Sequence, residues 1–187
     1  MSKKIPERSE IAVENTWRLE DLYGSDELWQ ADLVKFQKQI DALTGFAGKI
    51  SQSAADLLAY MKLRDEISIL ADRLGNYAMR RGDQDTRNSH YQGMVGQFTT
   101  AYVEADEKTS FETPELLSIP EEKMAEFYRE QPELALYRRH FDRIFRKRDH
   151  ILSLEQEKLL AGAGEMSHSP SDIFSMFSNA DLKFKPA

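Results

Sequence analysis

Apolar residues recur every three or four positions through the first half of the chain. Trp29, Leu33, Phe36, Ile40 and Leu43 fall on one helical stripe. Ser25 stands at the cap position, Asp26 and Glu27 sit in the first turn against the positive end of the dipole, and Gly45 ends the run. Ser53-Ala54-Ala55-Asp56 has the form of a capping box. It predicts a second helix carrying Tyr60, Leu63, Ile67, Leu70, Leu74 and Tyr77, with Arg80 and Arg81 as a cationic last turn and Gly82 as a left-handed stop. A third helix is expected from Asp85 or Thr86, past Tyr91, Met94, Phe98 and Tyr102, to about Lys108, with Gly93 and Gly96 weakening it locally. Three such helices on short turns most simply form an antiparallel bundle with Phe36 and Leu70 mid-stripe.

Proline punctuates the second half at Pro114, Pro120, Pro132 and Pro170, each with acidic residues just after it, which predicts shorter helices with proline in the first turn. Leu134, Tyr137, Phe141 and Ile144 mark the longest. Ser153-Leu154-Glu155-Gln156 caps another that stops at Gly162 and Gly164, and Ser169-Pro170-Ser171-Asp172 opens the last. After Asn179, Leu182 and Phe184 alternate with Asp181, Lys183 and Lys185, the period of a half-buried strand. A lone strand cannot stand by itself, so its partners are expected in sequence beyond Ala187. The expected class is all-α: an antiparallel amphipathic bundle, then shorter Pro-capped helices, then the start of a strand. The expected division is a tail and anchor segment over 1–24, the bundle over 25–112 and the shorter helices over 113–187. The first sixteen residues are polar and aperiodic, whereas Trp17, Leu19, Leu22 and Tyr23 form an apolar cluster that reads as a packing anchor.

Composition acts mainly by exclusion. The 187 residues carry 25 basic and 32 acidic side chains, a net charge of −7, and no cysteine. A chain of this length buries roughly 70% of its unfolded surface, so it needs no staples. Without cysteine there are no disulfides, thiolate zinc sites or cysteine nucleophiles, and the expected compartment is the cytoplasm. A mean hydropathy of −0.59, with no long apolar run, excludes a membrane span. Met1-Ser2-Lys3-Lys4-Ile5-Pro6 leads into charged residues rather than the apolar core of an export signal. A pI near 5.2 argues against nucleic acid or an anionic membrane as the main partner.

Chemistry-bearing motifs are scarce. His90, His140, His150 and His168 are 50, 10 and 18 residues apart, so none forms the i, i+4 pair that chelates zinc from a helix. Asp83-Gln84-Asp85 opens like a calcium loop, but Arg87 takes a ligand position and Asn88 the glycine position. No phosphate loop, dinucleotide fingerprint or nucleophile elbow occurs, and no catalytic, cofactor-binding or metal-binding residue is assigned. Two charge runs stand out. Between Glu104 and Glu133 ten acidic residues face Lys108, Lys123 and Arg129, and between Arg138 and His150 six basic residues face Asp142 and Asp149. Arg139, Arg143 and Arg146 share a helical face that would suit a phosphate or carboxylate anchor. The plainer reading is preferred here, because no aromatic stacking pattern interleaves the arginines: a solvated helix whose positive face pairs with the neighbouring acidic stretch.

Four segments carry a family resemblance. Trp17-x-Leu19-x-Asp21-Leu22-Tyr23 resembles the opening of the oligoendopeptidase F group of thimet-oligopeptidase-like zinc metallopeptidases. His150-Ile151-Leu152-Ser153-Leu154-Glu155-Gln156-Glu157-Lys158-Leu159-Leu160-Ala161 resembles that group's His-x-Leu-Ser-x-x-x-Glu-x-Leu-Leu-Ala stretch. Pro114-Glu115-Leu116-Leu117 and Asn179-Ala180-Asp181-Leu182-x-Phe184 are similar to further segments, in the same order. The resemblance spans nearly the whole chain. It implies hydrolysis of short peptides by a zinc held on two histidines of H-E-x-x-H and a downstream glutamate, with the motif's own glutamate activating the bound water. This sequence contains no H-E-x-x-H, and the family carries it in the C-terminal half, so no catalytic or metal residue transfers. What the resemblance implies is the helical N-terminal portion, one wall of the deep channel that limits substrates to oligopeptides. Its partner would be its own C-terminal catalytic half, which holds the zinc, and the chain alone would be inactive. Without that half Phe174, Met176, Phe177, Leu182 and Phe184 lose their cover, and the chain is expected to self-associate through residues 170–187 or leave them disordered. The rival from another class is a complete helical adaptor whose acidic stretch recruits a basic partner.

Overall fold

The structure, a computed structural model, describes Pro6, residues 8–148, Leu152 and residues 154–182. Its first half is three long helices, α1 (Asp26–Thr44), α2 (Ala54–Gln84) and α3 (Ser89–Thr109). Each begins at a side-chain cap that satisfies amides the first turn leaves without partners. Ser25 Oγ accepts from the Leu28 amide at 3.4 Å, Ser53 Oγ from the Asp56 amide at 3.1 Å, and Asn88 Oδ1 from the amides of His90 and Tyr91. The Ser53 hydroxyl also donates to Asp56 Oδ2 at 2.6 Å, so the acid of the capping box engages the cap's side chain. All five stripe residues of α1 are buried, and on α2 only Leu63 of the six is half-exposed.

Contacts between helix ends fix the directions. Trp29, at the start of α1, donates its indole N–H to the Leu74 carbonyl near the end of α2 at 2.9 Å, so these two run antiparallel. A Cβ on Gly75 would stand 2.8 Å from the Phe98 ring, and one on Gly82 would stand 3.1 Å from Val95, so α3 runs antiparallel to α2 as well. These contacts correct two expectations. Gly82 is not a left-handed stop, because its bare Cα admits α3 and α2 continues to Gln84 before an extended Asp85. Helix α3 starts at Ser89 rather than at Asp85 or Thr86, since Asn88 supplies the cap. Gly48, at φ 77°, is the glycine that takes the left-handed conformation among the described residues, in the turn between α1 and α2.

The anchor segment lies along this bundle. Leu19 and Tyr23 are buried, the Arg73 guanidinium donates to the Leu22 carbonyl at 2.9 Å, and Arg81 pairs with Glu20 at 2.9 Å. Trp17 departs from the expected cluster. It stands 71% exposed, with Arg80 over one face of its ring, because the 3₁₀ turn Leu19–Asp21 carries Leu19 inward and leaves Trp17 ahead of it outside.

The second half contains α4 (Glu112–Leu117), α5 (Glu121–Glu130), a 3₁₀ helix Pro132–Tyr137 that continues into α6 (Arg138–Phe145), α7 (Leu154–Gly162) and α8 (Gly164–Met176). Pro114, Pro120 and Pro132 lie in or just before a first turn, where a missing N–H costs nothing. The segment of Leu134 and Phe141, both fully buried, is two elements rather than one long helix. Helix α7 ends at Gly162 as expected, but Gly164 begins α8, and Pro170 lies inside α8 instead of opening it. Gly164 lies beside Val103 of α3, at ordinary van der Waals distance.

Asn179 to Asp181 belong to a π-helical turn, Phe177–Asp181, and Leu182 alone is extended, so no strand forms among the described residues. A helical turn satisfies its own backbone groups, which a strand without a partner cannot do. The rest of that segment, Lys183 to Lys185, lies outside the described residues, as do His150, Ile151 and the Ser153 cap. The buried side chains from Leu19 to Phe141 make one connected core. No helix among the described residues is long and apolar enough to cross a membrane.

Candidate functional site

Polar side chains that leave the surface gather around Glu112 at the start of α4. Tyr60 and Arg64, one helical turn apart on α2, reach it from one side, and His140 of α6 reaches it from the other. The Tyr60 hydroxyl donates to Glu112 Oε2 at 2.8 Å, Arg64 Nε donates to the same oxygen at 3.1 Å, and His140 Nε2 lies 3.2 Å from Oε1. The carboxylate side chain is only 13% exposed. Burial alone would push its pKa up, but the hydrogen bond from His140, the charge of Arg64 and the Tyr60 hydroxyl outweigh that and hold it below the ordinary carboxylate range. Burial and the facing carboxylate push the Tyr60 phenol up. A cavity of about 480 Å³ opens beside this cluster, lined by the hydroxyl residues Thr109, Ser110 and Thr113 and closed by Leu160 of α7. A carboxylate saturated by three donors and held ionised is a weak base, and no nucleophile stands against it. The cluster is therefore a clasp joining α2, α4 and α6.

Glu115, one turn further on, makes a second clasp. Its Oε2 accepts from the Gly48 amide at 2.7 Å, and its Oε1 accepts from the Ser51 amide and hydroxyl, both at 3.1 Å. It thereby closes the turn between α1 and α2, while the neighbouring Leu116 is fully buried. A third polar cluster ties the bundle's other end, where Asp26 accepts from the Tyr77 hydroxyl at 2.7 Å and faces His90 Nε2 at 2.8 Å.

The histidines do not converge. His90 faces Asp26, His140 faces Glu112, His168 is exposed, and His150 lies outside the described residues. Among the described residues no three His, Cys, Asp or Glu side chains come together as a ligand set. Asp83 pairs with Arg80 and Asp85 with Arg87.

The expected pairing between the two charge runs is corrected. Acids of the first run are engaged elsewhere: Glu107 with Lys158, Glu112 and Glu115 in their clasps, Glu126 with Arg129 and Glu133 with Lys62. Among the described residues only His140 of the second run meets an acid of the first, and the arginine face of Arg139, Arg143 and Arg146 is solvated. Glu112 and Glu115 have one visible mark in the sequence, the three-residue spacing that straddles Pro114.

Comparison with known proteins bears on all of these residues. The family model described as Oligopeptidase F matches residues 115–184. Oligopeptidase PepF of Bacillus subtilis is 39% identical over 98% of this chain and 27% of its own length. An oligoendopeptidase F homolog of Lactococcus lactis is 37% identical over 94% of this chain and 30% of its own. The crystal structure of oligoendopeptidase-F from Enterococcus faecium superimposes with a TM-score of 0.79 at 29% identity, covering 86% of this chain and 31% of that one. That of a putative peptidase from Chlamydophila abortus gives 0.70 at 28% identity, covering 98% and 31%. The chain thus spans about three-tenths of the length of the relatives it matches.

Proposed function

From a chain that corresponds, in sequence and in fold, to the N-terminal part of the oligoendopeptidase F-type peptidases, we infer a helical wall beside the substrate channel of a zinc peptidase that hydrolyses oligopeptides. The observation that carries this reading is a match along nearly the whole chain to peptidases of which it spans only three-tenths. Two of the segments that resemble the family support it through what they do. Trp17 to Tyr23 anchors the chain to α2 through Leu19, Tyr23 and the Glu20 pair, and Pro114 to Leu117 closes the α1–α2 turn through Glu115. Both build a rigid wall, not a reacting centre.

The zinc that the resemblance implies does not fit the described residues. Their histidines sit on separate elements, and no ligand set forms, so no step through a metal is assigned to this chain. The same reading takes the C-terminal catalytic half as the partner that holds the zinc, an oligopeptide as substrate and the cytoplasm as the compartment. The purified chain, given zinc and an internally quenched oligopeptide, is expected neither to cleave it nor to keep stoichiometric zinc through dialysis against a weak chelator. Cleavage that tracks one retained zinc per chain would overturn the reading.

A further inference from the structure

We propose that the arginine face of α6 is a docking surface for an acidic peptide. Arg139, Arg143 and Arg146 follow one another at spacings of four and three, with Arg146 continuing the right-handed winding just past the last turn, so all three share a face. All three are exposed, and none has an ion-pair partner among the described residues. Like charges at these spacings repel one another along a helix, and among the described residues no acid pairs with them. Asp142 shares the helix and Glu121 lies across the groove, but neither forms an ion pair with them, and Glu133, Glu112, Glu126 and Glu107 are engaged with Lys62, Arg64, Arg129 and Lys158. The concentration of unpaired cations is local, because the chain as a whole carries a net charge of −7. An anion supplied from outside is what complements it.

The shape beside these arginines suits a peptide. Arg146 also lines an open groove of about 660 Å³ between α5 and α6, whose walls include Met124, Tyr128, Arg138 and Phe145. Arg138 lies over the Tyr128 ring at 4.6 Å, and Arg148 over Phe145 at 5.6 Å, so cations and apolar ring surface alternate along one edge. Carboxylates would meet the arginines while apolar side chains enter the groove. Glu121 and Asp142, which also line it, repel carboxylates from the groove itself, so the peptide's acids belong on the arginine face and its apolar side chains in the groove. The inference goes beyond the peptidase reading and rests on it only for the ligand's class, a peptide.

Fluorescence anisotropy of a labelled peptide of alternating glutamate and alanine, titrated with the chain, tests this by binding alone, so its outcome is independent of any hydrolysis. Expected are saturable binding that weakens as salt is raised, and a loss of about tenfold or more in the variant R139E/R143E/R146E, with Lys35→Glu on α1 leaving affinity unchanged. Far-UV circular dichroism melts show whether the triple variant is folded. If it is not, Arg143→Gln replaces it, with an expected loss of about twofold. The proposal is overturned if the acidic peptide does not bind, if folded variants bind as the parent does, or if a lysine-alanine peptide binds equally well. Tighter binding of a single-stranded oligonucleotide would overturn it too, by assigning the face to nucleic acid.

Discussion

Glu112 shows how little a residue's own identity says about its role. In the sequence it is one acid among ten, and its partners Tyr60 and His140 lie 52 and 28 positions away. Only the fold brings three donors onto its two oxygens. Replacing it by glutamine leaves Arg64 and His140 facing a neutral amide, and the expected loss is about 1 to 3 kcal/mol at neutral pH. The sign of its pH dependence follows from the depressed folded pKa, below the ordinary 4.5. A depressed carboxyl contributes its full stability above the unfolded value and loses it as pH falls through the folded one. Urea midpoints from about pH 7 down to about pH 3 should therefore show the gap between parent and Glu112→Gln narrowing below the unfolded value. A gap that stayed constant would mean that the carboxylate's charge contributes nothing.

At the scale of elements, periodicity, caps and both ends of α1 are legible, whereas the end of α2 and the starts of α3 and α8 are not. The stripes of α1 and α2 and the Ser25 and Ser53 caps depend on neighbours three or four positions away, and they formed as the pattern predicts. Gly82 reads as a stop and Gly75 carries no signal, because a glycine at a helix stop and a glycine at a helix crossing look alike in one dimension. Two substitutions separate those roles. Gly93 has open space around its Cβ position, so Gly93→Ala should gain about 0.5 to 1 kcal/mol in helix propensity. At Gly75 the new methyl would meet the buried Phe98 ring at 2.8 and 2.9 Å. The overpacking penalty of about 1 to 3 kcal/mol then exceeds the same gain, for a net loss of about 1 kcal/mol. Denaturant unfolding checks both signs, and Phe98→Leu in the Gly75→Ala background should recover part of the loss.

Across the whole molecule, one apolar surface stands out. The core ends at Phe141, whereas Leu159, Leu160, Met166, Ile173, Phe174 and Phe177 are all exposed on α7, α8 and the turn beyond. Ile173 and Phe174 are 69% and 71% exposed, side by side on α8. Each such residue is worth about 1.5 to 3 kcal/mol on full burial, and soluble monomers seldom leave a patch of that kind uncovered. The chain is expected to self-associate through this face. Static light scattering should show its mass rising with concentration, while Ile173→Glu/Phe174→Glu stays monomeric. A parent that remains monomeric at every concentration would show that the face is not adhesive.

The sequence by itself determined the helical class, the inward stripes of the bundle, the caps and the resemblance to oligoendopeptidase F, all of which rest on residue spacing within one or two turns or on short ordered segments. It also marked Phe174, Met176 and Phe177 as apolar residues in search of a cover. The tertiary structure alone decided that Gly75 and Gly82 admit α3, that Trp17 stays outside its cluster, that α8 begins at Gly164, and that the acids of the first charge run turn to Arg64, Lys62, His140 and the α1–α2 turn instead of to the arginines of the second run. Each of these depends on which surface arrives from tens of residues away, and a local pattern carries no record of that. The arginines along α6 were visible as a charge run, but that they have no ion-pair partner among the described residues became knowable only from the three-dimensional arrangement.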